Sequence, residues 1–183
     1  MTEKPHTFCL FMIGPMGSGK STVGRHLASL LEYDFVDSDA EIETRAGADI
    51  PWIFDVEGEA GFRLREANVL QDLAERRRIV IATGGGAVVT VANRDLMSRA
   101  GVVVYLDVGV AQQVKRTGSG EGRPLLKERD RKETLERLMA EREPLYRELA
   151  DVIISGGSGN ARKVARTIHQ QLEDRGLLSQ GVT

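Results

Sequence analysis

Residues 14–22 read GPMGSGKST, and no other stretch of the chain restricts the fold as tightly. Gly14, Gly19, Lys20 and Ser21 fall on the spacing G-x-x-x-x-G-K-[ST]. The apolar run TFCLFMIG (7–14) precedes it, and STVGRHLASLLEY (21–33) follows, placing Val23, Leu27, Leu30 and Leu31 on one helical face. A buried strand, a glycine loop and a helix in that order form a cradle for phosphate. Glycines let backbone N–H groups turn inward, and the helix N-terminus adds partial positive charge. Gly14, Gly17, Ser18, Gly19, Lys20, Ser21 and Thr22 are therefore the candidate nucleotide contacts. Lys20 is expected to neutralise the outer phosphates of a nucleotide, and the Ser21 hydroxyl to ligate magnesium.

The rest of the chain alternates short apolar runs with amphipathic stretches. DFVD (34–37), RIVIATGGGA (78–87), AGVVVYLDV (100–108) and ADVIIS (150–155) read as further strands. SDAEIETRAG (38–47) opens with a serine three residues before Glu41, a capping-box spacing, and has Gly47 near its end. GFRLREANVLQDLAERR (61–77), RKETLERLMAEREPLYRELA (131–150) and NARKVARTIHQQLED (160–174) read as helices, the second either kinked or divided by Pro144. Arg76, Arg77 and Arg78 are placed at a helix C-terminus, which favours cations. Strands separated by helices predict an α/β fold: three layers, α/β/α, around a parallel sheet of about five strands, of the P-loop NTPase type. Ligands of such sheets bind beyond the carboxyl ends of the strands.

The length of 183 residues suits one domain, 1–183. Hydrophobic residues are 41%, charged residues 28% and the net charge is −2, with a sequence pI of about 6.0. That balance gives no footing for nucleic acid or a membrane surface as partner. The apolar run 8–13 is too short for a signal-peptide core or a membrane span. The lone Cys9 reads as a buried small hydrophobe in a reduced compartment, and the expected location is cytoplasmic. His6, His26 and His169 stand in no metal-ligand spacing. The tail, about 176–183, is expected to be flexible.

Phosphoryl transfer needs a carboxylate near the metal and often one near the attacking oxygen. The DSD at 37–39 supplies both: Asp37 at a strand end facing the nucleotide, and Asp39 reaching outward from the first turn of a helix. The plainer reading is that both are helix caps. Asp107 ends VVVYLD like a Walker-B aspartate, but its late position suits a cap on the next helix better. Three glycines, 84–86, at a sheet's carboxyl edge let a ligand lie against bare backbone. Phe62, Arg63 and Glu66 share one helical face while Arg65 points elsewhere, an arrangement that suits a small anion. On those residues alone, a surface ion pair explains Arg63 better. KRTGSGEGRPLLKERDR (115–131) is basic and glycine-rich and reads as a mobile lid over about 116–128. Arg123 would close over the phosphates, with Arg116 at the lid's start near the base.

Taken together, GPMGSGKST, DSD, GFR, TGGGA, GRPLL and REPLY occur in the order that resembles the shikimate kinase family. The resemblance covers nearly everything from Phe8 to Asp174. It implies transfer of the γ-phosphate of ATP to the 3-hydroxyl of shikimate, on the route to chorismate and the aromatic amino acids. It implies that Lys20 holds the β- and γ-phosphates, that Ser21 ligates Mg2+ and that Asp37 binds it through water. Asp39 would bond the shikimate hydroxyls and act as, or assist, the base. Arg63 and Arg142 would clamp the carboxylate, with Glu66 steadying Arg63. Gly85, with Gly84 and Gly86, would bound the ring in a shikimate-binding region over about 38–70, walled by Phe54 and Phe62. Arg123 would be the lid arginine and Arg116 would stack near adenine. Members of the family are usually monomers. One departure is SGGSGNAR (155–162), which lacks the proline the family often carries after its last strand. The lid's richness in glycine is another.

Three rival readings remain at this stage. A gluconate-type kinase also carries a P-loop and an early acidic pair, but GFR, TGGG and GRPLL together argue against it. A nucleoside monophosphate kinase needs a base-recognising pocket that no motif supplies. A non-catalytic P-loop module is expected to lose Asp39, Arg63 or Arg123, and all three are present.

Overall fold

The computed structural model describes residues 9–117, 131–155 and 160–178. The strands are β1 (Cys9–Ile13), β2 (Asp34–Asp37), β3 (Ile79–Ala82), β4 (Gly101–Asp107) and β5 (Val152–Ser155). They form one sheet in the order β2-β3-β1-β4-β5, and every pairing is parallel. The helices are α1 (Lys20–Leu31), α2 (Ser38–Ala46), α3 (Ile50–Ala74), α4 (Val91–Ala100), α5 (Val110–Arg116), α6 (Arg131–Leu149) and α7 (Ala161–Asp174). A short 3-10 turn spans Ala87–Val89.

The three central strands, β1, β3 and β4, are buried almost throughout because both faces of the sheet are covered there, whereas the edge strand β2 carries two aspartates and β5 alternates buried with exposed residues. Along β1, Cys9, Phe11 and Ile13 enter a core built with α3, α4 and α6. Leu10 and Met12 enter a second core with α1 and α7. This is the three-layer α/β/α fold expected from the alternation of strands and helices. Cys9 is fully buried, burial pushes its thiol up to about 11, and its Sγ donates to the Arg76 carbonyl at 3.0 Å.

Several local expectations are corrected. Leu30 is 46% exposed, and the buried seam of α1 runs through Val23, Gly24, Leu27 and Ala28 instead. The cap of α2 is Asp37 rather than Ser38: its side chain accepts from Asp39 N at 3.1 Å and Ala40 N at 3.4 Å. The strand ends at Asp37, so Ser38 is already helical and its hydroxyl accepts from Gly84 N at 3.1 Å. Asp107 caps nothing, because Gly109 precedes α5; Asp107 accepts from Arg147 at 2.8 Å and from the Tyr105 hydroxyl at 3.3 Å. Pro144 lies inside a single helix, α6. Arg78 lies beyond the end of α3 with φ of 55°, its guanidinium 5.5 Å from the Tyr33 ring.

α3 is two helical segments that meet at a kink at Gly58: the second contains the helix expected from 61, ending at Ala74 rather than 77, and the first, from Ile50, was not expected. Asp49 caps it, accepting from Trp52 N at 2.8 Å. Gly58 has φ of 70° and ψ of −179°, a conformation that side chains with a Cβ avoid. The rings of Phe54 and Phe62 stand 4.7 Å apart. Along a straight helix, eight residues would separate them by about 12 Å. Glu57 and Arg65 are bridged the same way, by two bonds of 2.7 and 2.8 Å.

Candidate active site

Parallel register brings the ends of β1, β2 and β3 to one edge of the sheet: Met12 and Asp37 both pair with Ala82. The loops that leave β1 and β3 there diverge, since β1 leads back to β2 while β3 leads across to β4. A crevice opens at such a divergence. The P-loop forms one wall of it and the glycines after β3 the other. A Cβ on Gly85 would lie only 3.3 Å from Met16 N.

The P-loop half is held by Gly14, Gly17 and Gly19, with φ of 140°, 75° and 94°. Lys20 is nearly buried, and its Nζ donates to the carbonyls of Gly14 and Pro15, each at 2.8 Å, and to Ser18 Oγ at 3.3 Å. Ser21 Oγ donates to the Asp37 carboxylate. Thr22 lies exposed on the first turn of α1. Arg116 reaches across from α5 and donates to the Gly17 and Ser18 carbonyls at 3.3 and 3.4 Å. Beside it opens a cleft of about 250 Å³ whose apolar lining comes from Val23, Leu106, Ala161 and Val164. Leu106, Ala161 and Val164 carry no motif. The only signal for the last two is that they open the helix after the glycine-rich loop. Arg123 and most of the expected lid, 118–128, lie outside the described residues, as does 179–183 of the expected tail.

The second half surrounds the glycines. The Arg63 guanidinium pairs with Glu66 at 2.9 Å and Glu59 at 3.0 Å, and lies 5.3 Å from the Phe62 ring. It occupies the space where Gly86 lacks a side chain, and any Cβ there would overlap it. Glu66 is fully buried. A Cβ on Gly84 would lie 2.7 Å from Asp39 Oδ1 and 3.0 Å from Glu66 Oε1, so both carboxylates converge on that glycine. Phe54 packs on Phe62 behind Arg63. Arg142 is buried on α6, and its charge opposes the rise of the Glu66 pKa.

Burial first, then the neighbouring Asp37 and Glu66, push the Asp39 carboxyl up from 3.8 to about 6, against the pull of Lys20. Burial also raises Glu66, with Arg63 and Arg142 opposing. Four buried polar atoms here have no protein partner among the described residues: Asp39 Oδ1, Glu66 Oε1, Arg63 Nε and Arg142 Nε. Buried polar atoms are seldom left unpaired, so such a cluster marks the place of a polar ligand. Ser21 and Asp37 offer hard oxygen donors that fit a divalent cation. Among the described residues no group of three or more His, Cys, Asp or Glu could hold a metal unaided. An ion bound here would complete its shell from water and phosphate, as small hard cations do.

A P-loop facing a polar pocket with Arg63 paired to the buried Glu66 and a raised carboxyl fits a small-molecule kinase of the P-loop class. The profile of the family described as "Shikimate kinase" matches residues 16–173. The chain belongs to the shikimate kinase family, whose activity is phosphate transfer from ATP to shikimate. A shikimate kinase of Halorhodospira halophila is 57% identical over 164 residues, covering 90% of this chain and 93% of the relative. The structure of the shikimate kinase from Acinetobacter baumannii in complex with shikimate superposes with a TM-score of 0.92 at 46% identity, covering 95% of this chain and 97% of the other. A gluconokinase from Sinorhizobium meliloti, at 16% identity and a TM-score of 0.56 over 96% of this chain and 99% of its own, shares the fold alone. Among the described residues, no helix is long and apolar enough to cross a membrane.

Proposed function

We propose that the two halves of the crevice divide the reaction between them, ATP on the P-loop side and shikimate on the glycine side. On the first side, Lys20 exchanges its carbonyl partners for the β- and γ-phosphates, and the backbone of Gly14, Gly17, Ser18, Gly19 and Thr22 lines the phosphate path. Ser21 and Asp37 would hold Mg2+, Asp37 through water, and an ion bound there would supply positive charge beside the phosphates. Arg116 lies against adenine in the cleft with Ala161 and Val164. Arg123 covers the transferring phosphate.

On the second side, Arg63 and Arg142 grip the carboxylate of shikimate, with Glu66 orienting Arg63. Phe54 and Phe62 wall the ring, and Gly84, Gly85 and Gly86 let it approach the backbone. Asp39 accepts the hydrogen bond of the 3-hydroxyl. The oxygen attacks the γ-phosphorus, the proton passes to Asp39 and ADP leaves, giving shikimate 3-phosphate. The observation that carries this reading is the cluster of unpartnered polar atoms on Asp39, Glu66, Arg63 and Arg142. They supply acceptors for hydroxyls and donors for a carboxylate, the two chemistries shikimate carries. The Acinetobacter relative, with shikimate bound, supports the choice of acceptor.

Both halves come from one chain, which supports a monomer as the working unit, acting in the cytoplasm on ATP and shikimate. Steady-state kinetics of Arg142→Ala test the clamp. Losing a charged partner should raise KM for shikimate by about 10- to 100-fold and leave KM for ATP unchanged. An unchanged KM for shikimate would remove Arg142 from the pocket. For Arg123→Ala the expected loss is in kcat rather than in ATP affinity.

A further inference from the structure

Three consecutive glycines form the most permissive backbone a chain can offer, yet the pocket needs Gly84, Gly85 and Gly86 in one fixed arrangement. Gly84 N donates to Ser38 Oγ at 3.1 Å, and the Gly84 and Gly86 carbonyls accept from Ala87 N and Val89 N at 3.1 and 3.0 Å; the Gly85 carbonyl is fastened from α6. Tyr146 is 1% exposed, and its hydroxyl donates to the Gly85 carbonyl. Burial pushes that hydroxyl up to about 12 against the opposing charge of Arg142, so it keeps its proton and remains a donor. Its ring is held from behind. It stacks on Tyr105 with centroids 5.0 Å apart, and Tyr105 donates to Asp107, which also accepts from Arg147.

The Gly85 C=O and the Gly86 N–H belong to one peptide plane. In a trans peptide they point to opposite edges of that plane. Drawing the carbonyl onto Tyr146 therefore turns the Gly86 N–H away from Tyr146. No acceptor among the described residues takes that N–H. Gly86 is also the residue whose open face meets the Arg63 guanidinium. Tyr146 follows Arg142 by one helical turn, so α6 carries both the clamp arginine and the group that sets this peptide.

We propose that Tyr146 is a positioning residue of the acceptor pocket: its hydroxyl orients the Gly85–Gly86 peptide so that the Gly86 N–H is presented to the acceptor's carboxylate beside Arg63 and Arg142. The proposal rests on the placement of shikimate given above. Tyr146→Phe keeps the ring and its stack and removes only the hydroxyl. Calorimetric titration should then show the Kd for shikimate raised about tenfold, with the Kd for ATP within about twofold of wild type. Tyr105→Phe leaves the Tyr146–Gly85 bond in place and should bind shikimate like wild type. In the wild-type protein, the Gly86 amide proton resonance should move on adding shikimate and stay still on adding its neutral methyl ester. Shikimate affinity in Tyr146→Phe equal to wild type would overturn the proposal, as would parallel losses of shikimate and ATP affinity, or a Gly86 amide that does not respond to shikimate. Failure of the wild-type protein itself to bind shikimate would instead overturn the placement of the acceptor.

Discussion

Asp39 is kept in a position that costs the fold something. Its carboxyl lies against Asp37 and Glu66, with one oxygen unpartnered, and titrates at about 6 instead of 3.8. Between those values the folded chain holds a proton that the unfolded chain has released. The stability belonging to the protonated form is therefore lost as pH rises through about 6. Asp39→Asn removes the buried charge, and thermal unfolding at pH 7.5 should show a gain of about 2 kcal/mol, roughly 5 °C in Tm. The same variant should lose about 100- to 10,000-fold in kcat, as expected when a positioned base is removed. A less stable Asp39→Asn protein would contradict the electrostatic reading, and near-normal turnover would contradict the base. Wild-type kcat/KM should fall as pH drops through about 6, because the base must be ionised. At this scale Asp39 drew attention from the DSD motif alone, whereas Arg63 read better as a surface ion pair and, like Arg142, was brought to the site by the family resemblance. Tyr146 was not marked by its position in REPLY, since its partner is a main-chain carbonyl 61 residues away. Nothing in the identity of a glycine announces that its carbonyl is claimed.

The kink at Gly58 is what sets Phe54 against Phe62 and Glu57 against Arg65. Gly58→Ala forces a Cβ into a conformation that costs about 1–3 kcal/mol. Chemical denaturation should show that loss. KM for shikimate should rise severalfold as Phe54 leaves Phe62, while KM for ATP holds. A neutral Gly58→Ala would mean the turn is incidental. The three central strands were legible because burial on both faces leaves apolar runs, as in Ile79–Ala82 and 102–106, and the short edge strands β2 and β5 were read from DFVD and ADVIIS. The first turns of α3 were hidden because Gly58 breaks the helical period, and α4 because it buries only Asn93 and Met97, too little for a stripe. Leu30 misled for a related reason. An apolar residue on the helical period was counted into the seam, but the close packing runs through Gly24 and Ala28, small residues that an apolar pattern undervalues.

Across the whole molecule, the order β2-β3-β1-β4-β5 makes the P-loop and the glycine loop neighbours although they lie about 70 residues apart in the chain. Motif spacing shows that both loops exist but not that they face each other. Their apposition comes from strand order, which depends on how β2, β3 and β4 are laid down around β1. One consequence is that either substrate alone should stabilise the fold. Shikimate at about 100 times its Kd contributes roughly 2.7 kcal/mol, a rise in Tm of about 5–10 °C, and gluconate contributes none. A protein whose Tm responds equally to both would have no acceptor pocket of the kind described. The most direct measurement is ADP release from Mg2+-ATP by the wild-type protein, with shikimate, gluconate, AMP or no acceptor. ADP formed with shikimate, and only at a trace rate otherwise, is the result predicted when the cradle faces a pocket built for ring hydroxyls and a carboxylate. ADP formed at the same rate without shikimate, or faster with gluconate or AMP, would contradict it.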